Sequence, residues 1–100
     1  MIFVFHLIDR PDSAELRQRV RPEHKVYLAA MADRIAFAGP LTKDDGQTML
    51  GSLLAIDFED RAAAERWMAD EPFTKAGLYE TVSVLPFANL WPQKAGFPPV

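Results

Sequence analysis

Few side chains in this sequence could do chemistry, and His24 stands first among them. It lies in Val20-Arg21-Pro22-Glu23-His24-Lys25-Val26-Tyr27-Leu28, where a helix would place Val20, His24, Leu28, Met31 and Ile35 along one apolar face. An imidazole among apolar neighbours needs a partner. It is also the side chain whose ordinary titration range brackets neutral pH, which suits it to proton transfer. One reading is a core histidine satisfied by a backbone carbonyl. The other is a general base held by a carboxylate. Asp70 and Glu71, directly before Pro72, close a second helix expected to lie beside the first, and either could reach His24. Such a carboxylate would fix the tautomer and raise the basicity of the free nitrogen. Against this, both residues could be solvated at a helix end, where negative charge is slightly unfavourable.

The remaining candidates carry less. His6 sits within an apolar run and reads as a strand residue near a sheet face or a subunit contact. No His-x-x-x-His or comparable spacing joins the two histidines into a metal site. Arg10, Arg17, Arg19 and Arg21 cluster around the first helix; they could bind a small anion at the mouth of a site, or form an ordinary solvated face. No glycine-rich phosphate loop is present, Gly39-Pro40 and Asp45-Gly46 read as turns, and Ser13, Ser52 and Ser83 lack a nucleophile-elbow context. No metal or cofactor is expected.

The elements that must position these residues follow from pattern. Residues 1–8, Met-Ile-Phe-Val-Phe-His-Leu-Ile, are a β-branched and aromatic run ended by Asp9-Arg10-Pro11-Asp12. Too short and wrongly flanked for a membrane span or a signal peptide, they read as a strand. Ser13 or Asp12 is expected to cap a short helix through Arg19, with Pro22 opening a second, longer one through about Arg34. Residues 35–41 and 50–58 read as strands flanking a turn-rich loop. Asp60 caps a helix through Asp70, Pro72 stops it, and residues 79–87 form the last strand. The order is βαββαβ: α+β, with an antiparallel sheet and both helices on one face, the ferredoxin-like arrangement. The first two strands are apolar on both sides, so the uncovered face is expected to pack on a second subunit as a homodimer. Residues 88–100, apolar and proline-rich, are expected to lie along the protein surface or the other subunit.

Composition narrows the partners. A net charge of −3 removes the basic footprint of a nucleic-acid binder, and the absence of cysteine excludes disulfides and thiolate chemistry. A cytoplasmic protein with a small-molecule partner, and with neither nucleic acid nor membrane, is the expectation.

Laid out in this way, the chain resembles the YCII, or YciI-like, family over nearly its whole length as a single domain. The matching stretches are the first strand leading to Asp9, Arg21-Pro22-Glu23-His24, Ala38-Gly39-Pro40, Gly51-Ser52, Trp67 with Glu71-Pro72-Phe73, Ala76-Gly77-Leu78-Tyr79-Glu80, and Val82-Ser83-Val84 with Pro86-Phe87. The resemblance implies a dimeric α/β barrel with two sheets face to face. It also implies a His-Asp site, which falls here on His24 and the acidic position before Pro72. That position departs from the family's usual Asp-Pro: it is Glu71, with an aspartate one residue earlier at Asp70. Some relatives are dehydrochlorinases of chlorinated hydroxyquinols, but fold alone does not transfer a substrate. The resulting expectation is a cofactor-independent small-molecule enzyme catalysing elimination, isomerisation or hydrolysis with His24, Glu71 and Asp70 at its site. The alternative is a ligand-binding or accessory dimer without turnover.

Overall fold

The computed structural model describes residues 1–91. Four antiparallel strands, β1 (Ile2–Asp9), β2 (Ile35–Thr42), β3 (Met49–Asp57) and β4 (Tyr79–Phe87), form one sheet in the order β2-β3-β1-β4. Three helices accompany them: α1 (Ala14–Ala29), α2 (Arg61–Ala69) and the one-turn α3 (Pro72–Lys75). This is the ferredoxin-like α+β fold expected from the sequence. Part of the tail expectation lies outside the described residues; Leu90 and Trp91, which are described, are exposed.

Strand alternation sorts side chains between the two sheet faces. Phe3, Phe5 and Leu7 of β1 point to the helices, where Leu54, Ile56, Phe58, Ala64, Trp67 and Met68 complete a buried core. Each such aromatic or aliphatic side chain contributes on the order of 1.5–3 kcal/mol on leaving water. Ile2, Val4, His6 and Ile8 point the other way, and no described helix covers them. His6 is exposed on that open face, paired across the strands with Leu53 and Ser83.

Gly51 of β3 stands directly against the backbone of β1. A Cβ there would stand 1.9 Å from the Leu7 carbonyl oxygen, so only glycine fits. The neighbouring Ser52 is thereby held on the helix side, opposite Leu7.

One expectation is corrected. The first helical region is not two pieces broken at Pro22 but one helix with Pro22 inside it, ending at Ala29 and followed by a 3-10 turn, Ala32–Arg34. An internal proline removes one backbone hydrogen bond and crowds the carbonyl four residues back, at a cost of about 3 kcal/mol. Pro22 and Gln18 are both exposed, so the unbonded carbonyl faces water. Continuity has a structural consequence: Arg17 and His24, two turns apart, lie on the same buried face of α1.

Candidate active site

His24 is buried on α1, and its Nδ1 is hydrogen-bonded to Oε1 of Glu71, which is wholly buried. Glu71 arrives there for a local reason. It is the N-cap of α3, with Pro72 in the first helical position, and its Oε2 accepts from the Thr74 backbone N–H at 3.2 Å. The same oxygen accepts from the Tyr79 hydroxyl at 3.3 Å. These donors replace the hydrogen bonds that water would give the carboxylate. An ionised carboxylate only accepts, so with Glu71 in that form Nδ1 is the donor in this bond and Nε2 is the nitrogen left for other chemistry. Among the described residues Nε2 has no hydrogen-bond partner, and His24 lines the principal cleft. Asp70 is exposed and closes α2 as its C-cap; the bond to His24 comes from Glu71.

A register shift in the β1–β4 ladder governs what surrounds the pair. Ile8 pairs with Thr81 but Asp9 with Tyr79, so one residue of β4 is passed over. Regular alternation would set Glu80 on the helix side beside Asp9; the bulge sets Tyr79 there instead. Burial and the nearby Glu71 charge raise the Tyr79 pKa, so its hydroxyl stays a donor to Glu71. Burial likewise raises Tyr27, with Asp70 and Glu71 adding to the effect, and its hydroxyl donates to the Trp67 carbonyl at 2.7 Å.

Phe73, wholly buried, packs behind both His24 and Arg17. Its ring stacks on the His24 imidazole, 4.0 Å between centroids and 19° between planes, and lies 4.9 Å from the Arg17 guanidinium carbon. Arg17 is buried, which corrects its reading as part of a solvated cluster; Arg10, Arg19 and Arg21 are exposed. It grips Asp9 through Nε at 2.7 Å and Nη2 at 3.0 Å, and Nη2 also reaches the Ser52 hydroxyl at 3.0 Å. Sequence reasoning missed Asp9, Ser52 and Tyr79 as neighbours of the site. For Arg17 a signal existed: it stands seven residues from His24, two helical turns on the same face.

The cleft, about 860 Å³, lies between α1 and the β2–β3 half of the sheet. Arg17, His24, Arg21 and Lys25 line its α1 wall, Ser52 and Leu54 its floor, and Ala38 to Pro40 with Gln47 to Met49 its far side. Asp45 shapes that far side, its carboxylate accepting from the backbone N–H groups of Gln47 and Thr48 at 2.8 Å each. The arrangement offers an oriented base in a space large enough for a small organic molecule. Among the described residues no three His, Asp or Glu side chains converge as metal ligands, and no helix is long and apolar enough to cross a membrane.

The chain is similar to known proteins over most of its length. Protein YciI of Escherichia coli O6:H1 is 37% identical over 98 residues, covering 91% of this chain and all of that protein, and the same figures hold for Protein YciI of Shigella flexneri. An uncharacterised Haemophilus influenzae protein is 32% identical over the same shares. A solved structure, 5-chloro-2-hydroxyhydroquinone dehydrochlorinase (TftG) from Burkholderia phenoliruptrix AC1100 in complex with 2,5-dihydroxybenzoquinone, matches with a TM-score of 0.82 at 30% identity, over 88% of this chain and 94% of that one. The model of the YCII-related domain matches residues 1–88, and the chain therefore belongs to the YCII family.

Proposed function

We propose that the protein is a cofactor-independent enzyme of small molecules in which His24 Nε2 takes and returns a proton and Glu71 orients the imidazole. One observation carries this reading: a buried carboxylate holds Nδ1 while the ring faces a cleft with its other nitrogen unpartnered. When Nε2 accepts a proton, the Glu71 charge stabilises the imidazolium without water. In an elimination, the proton leaves a carbon for Nε2, its bonding electrons form the new double bond, and the leaving group departs from the adjacent carbon with its electron pair. In an isomerisation the same nitrogen returns the proton to a second carbon. The dehydrochlorinase among the structural relatives supports elimination from an oxygenated ring as the first reaction to try.

The second part of the proposal is a homodimer joined through the open sheet face. Leu85 and Phe87 of β4, 61% and 46% exposed, stand on that face beside Val4 and Ile2, an apolar surface of the kind that marks association. The net charge and cysteine-free composition support a cytoplasmic protein that binds neither nucleic acid nor membrane.

The test is chloride release from 5-chloro-2-hydroxyhydroquinone by wild type, His24→Gln, Glu71→Gln and Asp70→Asn. His24→Gln is expected to lower kcat by about 10²–10⁴-fold, the usual contribution of a positioned base. Glu71→Gln should lower it less and Asp70→Asn hardly at all. Turnover by His24→Gln equal to wild type removes His24 as the base. Saturable binding without turnover of this or any other ring substrate favours the accessory, non-catalytic reading.

A further inference from the structure

Arg17 is held as if for a ligand. Its side chain is only 9% exposed, yet it lines the cleft. A guanidinium has five N–H donors in one plane. Asp9 takes one from Nε and one from Nη2, and Ser52 takes the second from Nη2. Among the described residues both Nη1 donors are without a partner. Ser52, itself buried and lining the cleft, accepts from Arg17, so its own hydroxyl hydrogen is free to turn outward. Asp9 holds the far edge of the guanidinium and does not line the cleft, and neither does any other Asp or Glu. In a chain with 14 acidic and 11 basic residues, this cleft is lined by Arg17, Arg21 and Lys25 and by no carboxylate.

The geometry points to an anion-binding pole formed by Arg17 Nη1 and the Ser52 hydroxyl, which takes an oxygen of a small planar organic oxyanion, a ring-borne carboxylate or phenolate, beside His24. The Phe73 ring lies against both the imidazole and the guanidinium, which makes pole and base neighbours on the α1 side of the cleft. The bidentate Asp9 contact fixes the guanidinium plane before the ligand arrives, so little reorganisation opposes binding. This inference rests on the proposed function only for the role of His24; the pole itself can be tested by binding alone.

The experiment is a calorimetric or NMR titration of the full chain with benzoate against its neutral counterpart benzamide, and with 4-nitrophenolate against 4-nitroanisole. The two pairs distinguish a carboxylate from a phenolate as the preferred anion. At least one anion is expected to bind roughly tenfold or more tighter than its neutral counterpart, the worth of one charge-assisted hydrogen bond. Ser52→Ala, which leaves the Asp9–Arg17 pair intact, should weaken that anion about threefold or more and leave the neutral compound unchanged. Arg17→Lys, which loses the planar Nη1 donors, should abolish the preference; if it does not fold, Ser52→Ala decides. The proposal is overturned if both anions bind no better than their neutral counterparts. It is equally overturned if Ser52→Ala binds like wild type while the double variant Arg21→Gln/Lys25→Gln loses the preference, which would assign it to the rim. Turnover of His24→Gln reads the proposed function separately: loss of activity with no anion preference removes the pole alone, and anion preference with unchanged activity removes the base alone.

Discussion

The two faces of the sheet invert the usual relation between polarity and burial. On the helix-covered face, among Phe3, Phe5 and Leu7, the protein buries His24 with Glu71 and Arg17 with Asp9. On the open face, Leu85 and Phe87 remain in contact with water. Polar groups tolerate burial where another element delivers their hydrogen-bond partner, because an unmatched charge away from water costs several kcal/mol. Apolar groups stay exposed where no described element of the same chain reaches them. The covered face thus has the properties needed for chemistry and the open face those needed for association.

The largest expected effect strikes the covered face. Glu71→Leu removes the partner of His24, the cap of α3 and the acceptor of Tyr79 at once; urea denaturation should show a loss of about 3–5 kcal/mol, typical of breaking a buried pair from one side. Asp70→Ala, one residue away but exposed, should change stability by less than about 0.5 kcal/mol, and equal losses in the two would erase the distinction drawn between them. Gly51→Ala forces a Cβ onto the Leu7 carbonyl and should cost about 1–3 kcal/mol or more, read by the same method.

On the open face the expected sign is reversed. Leu85→Lys should leave folding nearly intact by circular dichroism, while sedimentation velocity shows dimer giving way to monomer. A wild type that sediments as a monomer at micromolar concentration would end the association reading.

Two pH effects are smaller. The folded-state pKa of Tyr79 lies above its ordinary 10.0, chiefly through burial, so folding resists its ionisation. Its contribution is complete below pH 10 and is lost as pH rises beyond that; Tyr79→Phe should flatten the alkaline arm of a thermal-stability profile. Asp45 has the opposite sign. Its hydrogen bonds from Thr48, with those of the Thr48 and Gln47 backbone, hold its pKa at about 2, below the ordinary 3.8. That contribution is present above the ordinary value and fades as pH falls toward 2, and Asp45→Asn should lower the neutral-pH melting temperature modestly, flatten the acid-side slope and converge with wild type near pH 2.

Much of this molecule can be read from local pattern. The strands announce themselves by β-branched runs and turn signals, and the βαββαβ order then leaves few arrangements of a single sheet. His24 can be singled out because a polar ring interrupts an apolar stripe. Pro22 misleads because propensity is a local property. The break it favours is outweighed by packing along a helix whose proline faces water, and only the continuous helix sets Arg17 in phase with His24.

Sequence by itself determined the family, the element order, the apolar character of both sheet faces and the identity of the imidazole. Each of these depends on residue type and on spacings within a few turns or strands. Tertiary structure alone decided that Glu71 rather than Asp70 holds His24, since adjacent residues at a helix boundary point to opposite environments and only the packing of α3 against α1 selects between them. It also decided that a bulge turns Tyr79 toward the carboxylate and that Arg17 lies inside, clasped by Asp9 and Ser52 from two different strands. Those contacts join residues 8 to 47 positions apart, and no local periodicity encodes which of many possible partners a buried charge will meet.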